Sequence, residues 1–596
     1  MKKNSKKKKF IAAVIACVLV ICMTGATGCG PLSCLSCLSV INQIKNNSEE
    51  SSGAETGQNE TTQSETSQSE TSGSSSAERK DYGLTTPSEY VEYDPTEFYE
   101  MCDELKTLAD GKDADAVIAK YDEIYAEYKV ILENSSILYI NYCQDPTDEY
   151  WSEQSIKDDT LSTECSDAAY SAIKAVCDGP CADAFKEYVG EDDFEAFAEY
   201  EEMTEEEKTI SNRISELLDE YYTAIEEAET NGTSDEELNN IVGPIYLELV
   251  QLRTQLAGIY GYDNYADYRD KEVYDRDFGS EEAEKFHEAV KEISSDVYYL
   301  MYYTDAYVYP SYSSSSMNTG QCLDTLKKYA AQISPMTEDA ADLLIEEKLY
   351  NIDSSSSRKS GAYTTILENS GVPYIFMTTD SGTDFTSLTH EFGHFTEFSQ
   401  NSNPNVLLYG LGALDLCEIH SNGLEALYTY FYDDIFGNES QNMQAYVVID
   451  LLSNIVEGCK MDEFQREIYA NPDMTLDEIN KLYQDLSEEY GQPTSSSDYW
   501  WMYVSHNFES PMYYLSYACS AYVALQIWVL TQVDFDSAVD LWESFVEAGA
   551  YEYTYMELME KLGRSDFTDG LSLNLFCSQA ISFVYNNCNH YFSYGY

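Results

Sequence analysis

The chain has 596 residues and a mass of 67.5 kDa, with 107 acidic side chains against 34 basic ones and a formal net charge of -73. A surface this acidic repels phosphate backbones and excludes a nucleic-acid binder. A hydrophobic fraction of 43%, including 53 Tyr and 22 Phe, excludes wholesale disorder, and 16 Cys are too few at this length for a disulfide scaffold and read as buried thiols.

The amino terminus reads as an address. Six Lys lie within Met1–Lys9, the fourteen-residue apolar run Phe10–Met23 follows, and small residues close the segment at Ala26-Thr27-Gly28-Cys29. That is the order of a signal peptide, and the apolar run is short of the about 20 residues that a membrane span needs. Ala26-Thr27-Gly28-Cys29 also resembles a bacterial lipobox. It implies that residues 1–28 are a lipoprotein-type signal peptide, that Cys29 is lipidated, and that the chain is anchored to the extracellular face of a cell membrane; plain secretion and an uncleaved anchor are the alternatives. Residues 29–82 hold the near-repeat Ser64-Glu-Thr-Ser-Gln68 and Ser69-Glu-Thr-Ser-Gly73, and from Glu50 to Lys80 no apolar side chain is larger than Ala. Such a stretch buries too little surface to offset chain entropy and reads as a flexible Ser/Thr/Glu/Gln-rich tether. Residues 83–596 are then the folded body.

Within that body, apolar residues recur at three and four in Phe98-Tyr99-Glu-Met101-Cys102-Asp-Glu-Leu105 and from Ile210 to Tyr222, which predicts helices and a mostly α fold. Ser234-Asp-Glu-Glu237 has the form of a capping box opening the next helix. Breakers at Asp178-Gly179-Pro180, Asn231-Gly232-Thr233, Asn403-Pro404 and Gln492-Pro493 separate the periodic runs. One stretch departs from the helical habit. Ser360–Leu367 and Val372–Met377, on either side of a turn at Asn369-Ser370-Gly371, predict two short strands of a small sheet.

Immediately downstream, two of the six His stand in Thr389-His390-Glu391-Phe392-Gly393-His394-Phe395. A separation of four places both imidazoles on one helical face, while Leu388, Phe392 and Phe395 are spaced to pack inward. HExxH on a helix offers two metal ligands with a carboxylate beside them, although histidines so spaced also occur simply buried and hydrogen-bonded. A catalytic zinc keeps one position for water and needs a third protein ligand. Glu418 supplies it. The 23 residues between His394 and Glu418 let one helix end, a loop at Asn403-Pro404 reverse direction and a second helix return. His420 is the rival, turned about 200° from Glu418 on that helix. Glu425, on the same face as Glu418, either orients a ligand imidazole or is a solvated surface carboxylate.

His390-Glu391-Phe392-Gly393-His394 followed by Glu418-Ile419-His420-Ser421 resembles the thimet oligopeptidase and oligoendopeptidase F family of zinc metallopeptidases. Leu252-Arg253, Tyr260-Gly261-Tyr262-Asp263-Asn264-Tyr265, Gly361-Ala362-Tyr363 and Pro373-Tyr374-Ile375 agree with it, so the likeness extends from Ile241 to Ala521. The resemblance implies one Zn2+ per chain on His390, His394 and Glu418, with Glu391 as the catalytic carboxylate that activates water. It implies a large helical two-lobed body around a deep channel that admits oligopeptides, with the small sheet beside the zinc helix. It also implies that His506 and Tyr517 hydrogen-bond the substrate carbonyl as it becomes tetrahedral, with Tyr513 and Tyr514 competing for a remaining place. The strand around Gly361, Ala362 and Tyr363 would pair with an extended substrate backbone.

The expected function is zinc-dependent endopeptidase action on oligopeptides at the cell exterior. A dipeptidyl carboxypeptidase-like zinc exopeptidase shares the same spacing. A tethered peptide-binding lipoprotein would keep the cleft without turnover, although a pure binder has no use for Glu391. Elsewhere, Cys177 and Cys181 are either a local disulfide or two free thiols. His287 and His590 read as structural or exposed, and Cys417, about 100° round the helix from Glu418, reads as core.

Overall fold

The computed structural model describes residues 90–303, 317–355, 357–379, 384–410, 412–492 and 499–588. The expected signal segment and tether, Cys29 and His590 lie outside them.

The chain enters the fold through three helices, α1 (Thr96–Ala109), α2 (Ala114–Gln144) and α3 (Glu149–Cys177). Asp113 and Asp148 open α2 and α3 by accepting the backbone N–H groups of Ala116 and Tyr150, which would otherwise be orphaned in the first turn. The apolar stripes of these helices, including Phe98, Leu105, Ile124, Tyr170 and Ile173, close one hydrophobic core. α3 stops at Cys177, before Gly179-Pro180, and Cys177 and Cys181 are both buried free thiols.

A second and larger core runs from Ile140, near the end of α2, to Cys588 and draws mainly on the chain after residue 205. There it starts with α4 (Glu205–Asn231) and α5 (Asp235–Ile259), each opened by a capping box, Thr204 with Glu207 and Ser234 with Glu237. α6 (Ser280–Tyr303) follows. Two cores give the body its two lobes.

The sheet has three strands in the order β1-β3-β2: β1 (Tyr350–Asp353), β2 (Ala362–Leu367) and β3 (Val372–Thr378). β2 and β3 form the expected hairpin, Leu367 opposite Val372 and Ala362 opposite Met377, and Gly371 takes the left-handed backbone (φ +66) that closes the turn. β1, which runs parallel to β3 with Tyr350 opposite Ile375, was not predicted. It is four residues long and carries Asn351 and Asp353, so it lacks both the length and the alternation of a strand signal. β3 is central and β2 is left as an edge.

The elements that carry the functional side chains are α7 (Phe385–Gln400), α8 (Leu414–Tyr428), α9 (Ser440–Ala470), α10 (Tyr514–Thr531) and α11 (Phe535–Ala548). α10 is long and apolar enough to cross a membrane, but 89% of it is buried in the protein, as expected of a core helix that is apolar all round. The link between α7 and α8 does more than reverse the chain. Its Val406, Leu407 and Leu408 insert into the core of the first lobe, where the Tyr170 hydroxyl donates to the Leu407 carbonyl.

Candidate metal centre

Asp384 starts α7 by accepting the Thr386 N–H at 2.9 Å, and the four-residue spacing then brings His390 and His394 onto one face. Their ring centroids are 5.2 Å apart. α8 returns against that face, and Nε2 of each histidine stands 3.3 Å from the same Glu418 oxygen, Oε2. One donor atom from each of His390, His394 and Glu418 lies within 4.8 Å of the others. Three donors on two rigid helices thus converge on a volume that fits one cation. Two imidazoles and a carboxylate are also a ligand set that zinc accepts while keeping a fourth position open.

The surroundings are built to hold this geometry. Ser421, one helical turn beyond Glu418, places its hydroxyl 2.8 Å from Glu418 Oε2. Glu425 lies 3.7 Å from His390 Nδ1, on the side of the ring away from Glu418. Burial alone would raise the Glu418 carboxyl, but His394 and His390 hold it well below the usual carboxylate range. Burial would likewise lower His390, and Glu418, Glu425 and Glu391 hold it well above the ordinary imidazole value.

Glu391 is fully buried, and burial raises its carboxyl, while the charges of His390, His394 and Glu418 all act on it. Its Oε2 accepts from the Thr364 hydroxyl of β2 at 2.8 Å, so the sheet edge and the carboxylate meet directly. His420, the rival ligand, points the other way. Its Nε2 donates to the Phe545 carbonyl at 3.3 Å, and burial pushes its pKa down to about 3, which keeps it neutral. Its own carbonyl accepts from Trp542 of α11, which ties α8 to the core.

The segment carrying His506 folds back beside the cluster. The His506 ring lies 5.2 Å from Tyr513, 5.3 Å from Tyr514 and 5.9 Å from Tyr517 between centroids. Burial lowers the His506 imidazole, leaving it neutral, and the Glu418 charge reaches both His506 and Tyr513. Of these four expected site residues, Tyr513 lines the same cleft as Glu418 and His394, while His506, Tyr514 and Tyr517 stand behind it, packed on one another.

Arg276 couples this segment to α8. Fully buried, it pairs with Asp415 of α8 at 3.1 Å and with Asp270 at 2.8 Å, and it donates to the Met512 carbonyl at 3.1 Å and the Ser516 hydroxyl at 3.0 Å. Met512 itself adopts φ +72, a conformation uncommon for a side chain of its kind, just before Tyr513. One guanidinium therefore fixes the third ligand's helix relative to the His506 to Tyr517 segment.

A cleft opens against the cluster between the two lobes. Tyr128 and Ser162 line it on one side, and His394, Glu418, Tyr513 and Tyr551 on the other. The consecutive β2 residues Tyr363, Thr364, Thr365 and Ile366 line it too, which means that the strand presents its edge rather than one face. Gly361 and Ala362 precede this stretch.

No protein-family model matches the sequence, and no curated protein matches it. Solved structures do. PZ peptidase A, solved with an inhibitor, aligns over 85% of this chain and 99% of its own at a TM-score of 0.67 and 19% identity. A protein from Bacillus anthracis str. Ames assigned as an oligoendopeptidase F aligns over 84% and 97%, with a TM-score of 0.63 and 18% identity. Oligoendopeptidase-F from Enterococcus faecium aligns over 83% and 99%, with a TM-score of 0.50 and 11% identity. This chain has the oligoendopeptidase F fold.

Three residues of the centre escaped the sequence reading. Cys417 packs against the larger core as expected, but it is half-buried and also lines the cleft beside Glu418. Thr364 was signalled only by its place in a strand just upstream of the histidines, and Ser421 by its three-residue spacing from Glu418. His287, read as structural or exposed, is buried and bonds Asp462 at 2.9 Å, far from the ligands in the ion network around Arg466.

Proposed function

We propose that this protein is a zinc-dependent endopeptidase that hydrolyses peptide bonds in oligopeptides. The observation that carries the reading is the convergence of His390, His394 and Glu418 on one cation-sized volume beside an open cleft that His394 and Glu418 line, with Glu391 held by Thr364 of the cleft-lining strand. The likeness to PZ peptidase A and oligoendopeptidase F supports the choice of peptides as substrate.

When bound, zinc supplies a Lewis acid that polarises a carbonyl and brings the pKa of water down to about 7. Glu391 takes the proton as water attacks the peptide carbonyl and returns it to the departing amine. Burial raises its carboxyl, which favours its taking up the proton. The Thr364 hydroxyl holds one carboxylate oxygen and so fixes the direction of the other. Tyr517 and Tyr513, with the neutral His506, donate to the carbonyl oxygen as it gains charge, a type of contact worth about 3 kcal/mol per donor. The β2 edge offers backbone pairing to an extended peptide, which tolerates varied side chains. We further propose that the enzyme works outside the cell, tethered through lipid on Cys29; the support is the residue order of Met1–Cys29.

The test is metal content together with cleavage of a quenched peptide. Wild type should hold one zinc per chain. Glu391→Gln should keep the metal and lose activity by about 10²–10⁴-fold. Absence of stoichiometric metal in wild type, or equal cleavage by the variant, overturns the proposal. Cleavage of a C-terminally blocked peptide separates endo- from exo-action.

A further inference from the structure

The cleft holds a carboxylate that the proposed hydrolysis does not use. Glu368 follows β2 directly and lines the same cleft as His394, Glu418 and Tyr513. Among the described residues it has no hydrogen-bond or ion-pair partner within contact distance. Lys129 and Glu133 of α2 reach it only through their charges, which act in opposite directions. Its charge acts on Tyr125 and Tyr551, and Tyr551 and Tyr409 line the cleft with it. Burial pushes its carboxyl up to about 7, so the group gains from any cation brought against it. A cleft-lining carboxylate with no partner of its own is complementary to an ammonium or guanidinium group, through a charge-assisted hydrogen bond.

The strand fixes where that cation sits on a substrate. β2 meets the proposed general base at Thr364, whose hydroxyl is 2.8 Å from Glu391. Glu368 is the first residue past the end of β2, in the turn, four positions beyond Thr364. β2 advances about 3.3 Å per residue, as does a peptide laid along it, so Glu368 stands roughly four residues along such a peptide. We infer that Glu368 is a specificity-determining residue that binds a cationic group of the peptide, an Arg or Lys side chain or a free α-amino group, about four residues from the bond cleaved. The inference rests on the peptidase reading above and adds a substrate class to it.

The experiment measures kcat/KM of the full chain on matched quenched peptides that carry arginine, citrulline or glutamate at that position. A further pair carries there a free or an acetylated α-amino group, which separates a terminal amine from a side chain. In wild type the cationic member of one pair should exceed its neutral partner by about tenfold or more. Glu368→Gln should bring that ratio near one, and Glu368→Lys should invert it in favour of glutamate. A wild-type ratio near one on every pair, or an unchanged ratio in Glu368→Gln, overturns the inference while peptide cleavage itself leaves the peptidase reading standing. If no peptide is cleaved, the peptidase reading fails and the inference is decided by calorimetric binding. The wild-type ratio of dissociation constants for the neutral and cationic peptides should then fall about tenfold in Glu368→Gln, and an unchanged ratio overturns it.

Discussion

A Cβ built on Gly393 would lie 2.5 Å from the Cα of Ser421, and 2.4 Å from the His420 carbonyl oxygen. Both obstacles are backbone, so no side chain can swing aside. The glycine inside the HExxH turn is therefore what lets α7 and α8 approach closely enough for Glu418 to reach both imidazoles. Gly393→Ala should force the helices apart, at about 1–3 kcal/mol in stability. It should weaken zinc binding as well, because Glu418 moves with α8. Thermal unfolding and chelator competition measure the two effects; zinc affinity equal to wild type would show that the close approach is not needed for ligation.

Ser421 acts on the same ligand more gently. Its hydroxyl, 2.8 Å from Glu418 Oε2 and 3.1 Å from the Glu418 carbonyl oxygen, restrains the carboxylate oxygen that both imidazoles face. Ser421→Ala should lower metal affinity about 10–100-fold, the usual effect of losing a ligand's hydrogen-bond partner. Stability should fall by only about 1 kcal/mol. Titration with zinc at fixed chelator, beside a denaturant series, distinguishes these magnitudes.

Arg276 stands 139 residues from Asp415 in sequence, yet the pair is sealed from solvent. Arg276→Met would leave the buried charge of Asp415 without a cation and Asp270 with Arg466 alone, a loss of about 3–5 kcal/mol. Arg276→Lys should lose less stability, but it cannot reach Asp415, Met512 and Ser516 together from one ammonium. Its kcat should therefore fall even where the protein stays folded. Urea midpoints and kcat for the two variants, measured together, test this ordering.

The contrast between these residues explains what was legible in the sequence. His390, His394 and Glu418 were readable because helical geometry turns spacing into a shared face, and only a helix reversal separates the two segments. The capping box at Ser234 and the hairpin around Gly371 were readable for the same reason, being local. β1 was not, since it gains its identity from pairing with β3 rather than from its own residues. Arg276 with Asp415 was not, because nothing near either residue marks its partner. Tyr513 and Tyr514 are adjacent, and only the position of α10 against the cleft separates them.

Glu397, one turn beyond His394, gives a prediction in pH. It is buried, with Asn401 Nδ2 donating to its Oε1 at 3.2 Å, and burial raises its carboxyl to about 8. The folded protein therefore keeps a proton there that the unfolded chain releases near the ordinary carboxylate value. Between those two values unfolding releases a proton, so stability falls as pH rises, by at most about 5 kcal/mol once pH passes 8. Glu397→Gln keeps the shape and the acceptor for Asn401 but has nothing to ionise. The variant should match wild type at pH 5 and become progressively more stable than it toward pH 8. Urea midpoints at pH 5, 6.5 and 8 measure the gap; a gap that stays constant with pH would mean that the Glu397 carboxyl titrates as an exposed one does.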